Sequence, residues 1–325
     1  MDFRFTDEQQ DLIDAAKSIF DGEHTVERMR NQLDGNEVDA LWPQFAELGL
    51  LGIIAPEDKG GLGQDFSVMA AIAEAAGYAG LVEPFVEVAG LSVPLLAEMG
   101  ETEKLAQVIS GEIRVAPLSP NLFANQDADK NDYFIETNPE GSRLLARDEV
   151  TLTGLKSIDP LRRIFKISHQ AQGNALSDWY GSVLSAAQIC GLSRRIVDMS
   201  VDYAKDREQF GQQIGSFQAI KHHLANVHTQ IEFTRPTVYF AALSGGRAVH
   251  EAKIAACDTG SLAAEVGIQV HGGMGYTYEV NLHMFMKRIW ALSGEWGDRN
   301  DHLNILTPLV LADDAAIGPG ASFLA

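Results

Sequence analysis

Cysteine is almost missing from this chain: Cys190 and Cys257 are the only two in 325 residues, and both fall in helical patterns. That excludes a disulfide framework and fits a reducing compartment, so a cytoplasmic setting is expected. No apolar run is long enough to span a bilayer. The first residues lack the basic, apolar, small-residue pattern of a secretory leader. Positive charge is scarce, with 25 Lys and Arg against 45 Asp and Glu, a net charge of −20. Such a surface repels phosphate polymers, which argues against nucleic acid as a partner. Metal-ligand spacing is missing as well. His222 and His223 are adjacent and His228 lies five residues past the second, so no i, i+4 pair forms. The glycine run at Gly60–Gly63 has no following strand and no Lys-Ser/Thr, so it is not a phosphate loop. No repeat of solenoid type is present.

What is present divides into three stretches and a tail. Residues 1–110 read as an N-terminal helical domain. Thr6 followed by Gln9 forms a capping-box pattern, with Phe5 as the preceding apolar residue. Leu12, Ile13, Ala16, Ile19 and Phe20 then share one face at helical spacing. Leu48 to Gly63 ends a helix and enters a glycine-rich turn. Val68–Gly77 and Leu91–Met99 are further helical patterns. Residues 111–174 are short β-prone runs separated by Asn, Asp, Gly and Pro, which predicts a small, mostly antiparallel β unit. Residues 175–310 return to helix, a C-terminal helical bundle. There Ile220, Leu224, Val227 and Ile231 form a core stripe. Pro236 is expected to bend or interrupt its helix. Residues 311–325 read as a loose tail. The fold class is therefore mostly α with a small β unit.

Two segments carry the chemistry. Tyr203 to Ala225 reads Y-A-K-D-R-E-Q-F-G-Q-Q-I-G-S-F-Q-A-I-K-H-H-L-A, and Gln269 to Thr277 reads Q-V-H-G-G-M-G-Y-T. They combine a permanent cation, amide side chains, aromatic rings and a glycine cluster. Arg offers a planar fork to phosphate oxygens. A glycine pair lets backbone approach a ligand closely. This inventory suits the diphosphate and ring of a large nucleotide cofactor. The plain alternative for Arg207 is a surface ion pair with Asp206 or Glu208. For Phe210 it is a place in the core. Tyr276 and Trp296 read as core or interface aromatics.

The order and spacing of both segments resemble the acyl-CoA dehydrogenase family of flavoenzymes. Leu48-Gly-Leu-Leu-Gly-Ile-Ile-Ala-Pro-Glu-Asp-Lys-Gly-Gly-Leu-Gly63 is similar to that family's N-terminal "ELGLLGI-x-x-PE-x-x-GGLG" segment. The resemblance implies an N-terminal helical domain, a middle β domain and a C-terminal four-helix bundle. It implies that Arg207 contacts FAD pyrophosphate, that Phe210 packs on the cofactor and that Gln218 lies near the adenine end. Gln269, Gly272 and Gly273 would contact adenosine and pyrophosphate. In the family these groups act across the subunit interface, on the flavin that the neighbouring subunit holds.

The chain also departs from the family pattern. The middle segment lacks T-E-P-x-x-G-S-D and G-x-K-x-W-I-[TS], and Gly154-Leu-Lys156 is at most a remnant of the second. Family members remove the substrate α-proton with a carboxylate from an E-G-T motif. If Gly297 matches the motif glycine, Trp296 occupies the base position and Glu295 is one residue away. The family's alternative base position falls near Gly181, with Asp178 about three residues off. No catalytic residue is identified, and Glu295 is the weak candidate.

Phosphate-end contacts without the flavin cradle or the base imply a division of labour. The expectation is the smaller, degenerate subunit of an α2β2 acyl-CoA dehydrogenase. Such enzymes act on bulky, including steroid-derived, acyl-CoA thioesters. The partner would be a second, full-length acyl-CoA dehydrogenase subunit carrying the flavin ring, the thioester and the catalytic Glu. Electrons would pass from FAD to an electron-transferring flavoprotein. Three alternatives stay open: a homomeric dehydrogenase with its base at Glu295, a relative turned to hydroxylation or nitro-group chemistry, and a non-enzymatic scaffold.

Overall fold

The first helix begins where the capping residues place it. The Thr6 backbone N–H donates to Gln9 Oε1 at 3.1 Å, and the Gln9 N–H donates to Thr6 Oγ1 at 3.2 Å. Two orphan donors at the helix start are thereby satisfied. The computed structural model describes residues 3–23, 26–35, 41–118, 124–138, 141–168 and 175–312. Most of the expected tail, from 313 on, lies outside the described residues.

Helix α1 is Asp7–Glu23, α2 Val26–Leu33, α3 Trp42–Glu47 and α4 Phe66–Ala79. A short turn α5, Phe85–Glu87, runs through a wider π turn at Val88–Ser92 into α6, Val93–Met99, and α7 is Thr102–Ile109. Ile13, Ala16 and Phe20 of α1 are buried, as their spacing required. Helix α4 is apolar nearly all round and buried along most of its length, which makes it a central core helix.

Six short strands follow and form two three-stranded sheets. In the first, β1 (Val115–Pro117) pairs parallel with β3 (Tyr133–Asn138), and β3 pairs antiparallel with β4 (Gly141–Ala146). In the second, β6 (Ile164–Ile167) lies between β2 (Asn125–Gln126) and β5 (Leu152–Leu155), antiparallel to both. The unit has its own small core of Ala116, Leu118, Ala128, Phe134, Leu145 and Val150. It is mostly antiparallel, as its short β-prone runs suggested, with one parallel pairing.

The bundle comprises α8 (Ala175–Asp206), α9 (Gln218–Ser244), α10 (Arg247–His271), α11 (Leu282–Ser293) and α12 (Arg299–Val310). A two-stranded hairpin, β7 (Glu208–Gln209) and β8 (Gln212–Gln213), joins α8 to α9. Leu224, Val227 and Ile231 are buried, as the stripe predicted. Pro236 does not interrupt α9, which runs unbroken through it to Ser244. Proline removes one backbone donor, and packing on both sides of the residue carries the helix across that gap: Ile231, Thr234, Val238 and Ala241 are all buried.

Helices α4 and α8 meet backbone to backbone. A Cβ on Gly77 would overlap the Gln188 carbonyl, and one on Gly191 would overlap the Glu74 carbonyl. This close contact ties the N-terminal helices to the bundle. Cys190 and Cys257 are buried free thiols. Burial pushes both thiols upward, Cys190 beyond the physiological range. No helix among the described residues is long and apolar enough to cross a membrane.

Candidate functional site

The two motif segments converge at one end of the bundle. Tyr203, four residues before Arg207, stacks on His271, the residue before Gly272, with ring centroids 4.3 Å apart. The Tyr203 hydroxyl lies 3.5 Å from the His271 carbonyl. The turn at Ile214–Ser216 packs on the end of α8, so close that a Cβ on Gly215 would crowd the Ala204 carbonyl. The ends of α8 and α10 and the start of α9 are thus held together by groups that the motif contained but sequence reasoning did not single out.

Arg207 is fixed through its backbone rather than its side chain. Its N–H donates to the Tyr203 carbonyl at 2.9 Å, and its carbonyl accepts from the Ile214 N–H at 2.8 Å. The guanidinium is exposed and makes no ion pair among the described residues, so the alternative of a pair with Asp206 or Glu208 is not realised. Phe210 sits at the hairpin tip with φ 55°, followed by Gly211 with φ 78°. Two left-handed residues in a two-residue loop make a type I′ turn. The Phe210 ring is 92 % exposed, with one edge-on neighbour, Phe217, at 6.2 Å. Phe210 therefore lies outside the core of this chain. Gln218 opens α9 and is exposed, as is Gln269 near the end of α10. Gly272 has φ 61° and ψ −137°, and a Cβ on Gly272 or Gly273 would meet nothing within 4 Å. Tyr276 is 78 % exposed and is not a core residue.

This end of the bundle offers an unpaired cation, two amides, bare glycine backbone and uncovered aromatic rings. Each suits an anionic, flat-ringed ligand: guanidinium and backbone N–H for diphosphate, amides for a base edge, rings for stacking. The residues present fit the adenosine-diphosphate half of FAD.

The second region lies where the N-terminal helices, the β unit and the bundle meet. Trp296 is buried with φ 59°, and its indole lies against Gly181 so closely that any Cβ there would overlap it. The two sequence positions at which a base was sought, 296 and 181, are therefore one place in space, and a neutral indole fills it. Glu295 turns inward to Arg162, Oε1 to Nη1 2.5 Å, with both side chains nearly enclosed. Arg162 also donates through Nε to Gln126 Oε1 at 2.7 Å. A third group completes the cluster. Burial pushes the Glu87 carboxyl up, only partly offset by Arg162 and reinforced by Glu295. Burial opposes the charge on Arg162, but Glu295, Glu87 and Asp159 outweigh it and keep the guanidinium protonated. Three residues before Arg162, Asp159 pairs with Arg288, which also donates to the Leu81 carbonyl at 2.7 Å. Glu295 is thus committed to an internal ion pair. A carboxylate held by a guanidinium is not free to take up a substrate proton. Asp178 lines a cavity with Trp179, His250 and Trp296 and so lies beside the indole-filled position.

Sequence reasoning missed Glu87 and Arg162. Neither lies in a motif, and no local spacing signals the ion pair between Arg162 and Glu295, 133 positions apart. His222, His223 and His228 are scattered exposed residues on α9.

Comparison with known proteins is consistent with this geometry. The acyl-CoA dehydrogenase N-terminal domain matches residues 6–112, and the acyl-CoA dehydrogenase C-terminal domain matches residues 180–307. The chain is 30% identical over 256 residues to acyl-CoA dehydrogenase IpdE2 of Mycolicibacterium smegmatis, covering 76% of this chain and 80% of that protein. Among solved structures, the ChsE4-ChsE5 complex from Mycobacterium tuberculosis contains a chain that superposes with a TM-score of 0.84 at 23% identity, covering 97% of this chain and 100% of that one. Butyryl-CoA dehydrogenase from Megasphaera elsdenii superposes with a TM-score of 0.83 at 20% identity, covering 96% and 100%. The last two likenesses establish the fold.

Proposed function

This chain belongs to the acyl-CoA dehydrogenase family of FAD-dependent oxidoreductases, and from that premise we propose that it serves as one subunit of a heteromeric enzyme. In this reading Arg207, Phe210, Gln218, Gln269, Gly272 and Gly273 bind the adenosine-diphosphate half of a FAD whose ring a partner subunit holds. The partner, a second and complete member of the family, supplies the carboxylate that removes the α-proton of a bulky acyl-CoA, with a steroid-derived acyl group as the candidate substrate. FAD, when bound, would supply the hydride acceptance that the dehydrogenation needs, with an electron-transferring flavoprotein as the expected electron acceptor. An α2β2 assembly gives each unlike pair one complete site. The three-part division of the chain at about 110 and 174 belongs to the same reading.

The observation that carries the proposal is a contrast between two ends of one molecule. At one end the candidate cofactor groups are uncovered, and Arg207 has no protein partner among the described residues. At the other, the base position is filled by the Trp296 indole against Gly181, and Glu295 is engaged by Arg162. A homomeric enzyme using Glu295 would first have to break that buried pair, which disfavours that alternative. Fold-level support comes from the likeness to one chain of the two-component ChsE4-ChsE5 complex.

Co-expression with a complete acyl-CoA dehydrogenase and counting of FAD per complex tests the proposal. One FAD per unlike pair, lost when Arg207 is changed to Ala, is the expected result. A lone chain that purifies fully loaded with FAD and oxidises an acyl-CoA would overturn it.

A further inference from the structure

A second cavity, of about 420 Å³, lies among the start of α8, the Gly246 turn between α9 and α10, and α12. It is lined by Trp179, Val249, His250, Trp296, His302 and Ile305, with Asp178 and Asp301 among its carboxylates. Its volume is in the range of small-molecule sites, which are apolar with a few fixed polar groups. The candidate cofactor residues at the far ends of α8, α9 and α10 do not line it, and its link to the shared-flavin reading is Trp296, whose indole lies at the base position.

The polar groups form a chain whose direction can be worked out. The Trp296 carbonyl can only accept, and it lies 3.0 Å from His302 Nε2. His302 therefore carries its proton on Nε2. Burial drives His302 down to about 4, so at neutral pH its Nδ1 is a bare acceptor. His250 Nδ1 lies 2.8 Å from His302 Nδ1, and one of the two must donate. The donor is then His250, protonated on Nδ1. Burial also lowers the His250 pKa, which favours the neutral ring. A neutral His250 with its proton on Nδ1 leaves Nε2 as an acceptor, with no protein partner among the described residues. The Ser182 hydroxyl does not compete for it, because it donates to the same Trp296 carbonyl at 3.2 Å.

The backbone is also constrained here. Trp296 holds φ 59° and Gly297 φ 90°, and a Cβ on Gly297 would crowd His302 Nε2. Left-handed backbone at a bulky residue is costly and persists only where surrounding contacts impose it. The Trp296 carbonyl is thereby aimed at the histidine pair, and the tautomer of both rings follows from that strained turn.

We propose that this cavity binds a compact, neutral apolar alcohol or phenol, whose hydroxyl donates to His250 Nε2 while its hydrocarbon body lies between Trp179 and Trp296. The two carboxylates disfavour phosphate-bearing ligands, and the two indole walls supply the apolar contact. An acceptor fixed in place discriminates against an analogue that lacks the donor, because such an analogue leaves Nε2 unpaired.

The test uses the full chain and a pair of probes of similar shape, 4-methylphenol and p-xylene. Binding is measured by equilibrium dialysis and by quenching of indole fluorescence. The expected result is saturable binding with 4-methylphenol favoured by about tenfold or more. His250→Phe should bring the two probes to within about twofold, whereas His250→Gln, which keeps an acceptor, should retain most of the preference. Equal binding of the two probes by the unmodified protein, or no saturable binding of 4-methylphenol at millimolar concentration, overturns the proposal. So does a folded His250→Phe protein with undiminished preference. The unmodified protein decides the matter even if a variant fails to fold.

Discussion

Replacing Arg162 by Gln should destabilise the chain through two carboxylates at once. Arg162 Nη1 is 2.5 Å from Glu295 Oε1, and both side chains are close to fully enclosed. Glu87 shares the cluster, and its carboxyl is already pushed up by burial. At an effective dielectric constant of about 20, one contact pair at about 4 Å is worth roughly 4 kcal/mol. Breaking a buried pair by removing one partner costs about 3–5 kcal/mol, because the surviving charge is left without compensation. The expected loss is in that range at pH 8, read from urea unfolding. The sign of its pH dependence is fixed. A carboxyl whose folded pKa lies above the unfolded value, near 4.3, favours the folded state below that value, and this is lost as pH rises through the folded pKa. Without Arg162 the Glu87 carboxyl loses the cation that partly offsets its upward shift, so the deficit should be smaller at pH 5 than at pH 8. Adding Glu295→Gln to the variant should recover a large part of the loss, a coupling visible in a double-mutant cycle. A loss under about 1 kcal/mol, or one larger at pH 5, would refute the idea that this cluster is a tightly coupled buried ion group.

Further outcomes can be checked with ordinary assays. Glu87→Gln should raise stability relative to the unmodified chain as pH climbs from 5 to 8, since it removes the group that burial penalises; urea titrations at both pH values read the difference. Phe210→Ala should leave unfolding of the isolated chain within about 0.5 kcal/mol, because the ring is 92 % exposed. In the complex the same change should lower FAD content, measured by absorbance after gel filtration. Gly191→Ala should cost about 1–3 kcal/mol or more by pressing a methyl into the Glu74 carbonyl where α4 meets α8. A thermal-unfolding midpoint equal to that of the unmodified chain would contradict the backbone-to-backbone contact.

Local patterns were legible in particular residues. Thr6 and Gln9 cap α1 as their spacing required, since a capping box spans three residues. The stripe Leu224, Val227, Ile231 is buried because helical periodicity is a local property. The β-prone stretch between 111 and 174 does fold into short strands, although which strand pairs with which was not readable. Pro236 does not interrupt α9, because local propensity weighs less than the buried face around it.

What the chain determined by itself is the order of helical, β and helical stretches, the family resemblance carried by two contiguous motifs, and the acidic, cysteine-poor character. These depend on neighbours a few residues apart. Only the folded structure decided that Arg207 stands free, that an indole occupies the place where positions 181 and 296 meet, and that Glu295 belongs to Arg162. Those outcomes arise from contacts across more than a hundred residues, where burial and charge pairing act through space and leave no mark on local spacing.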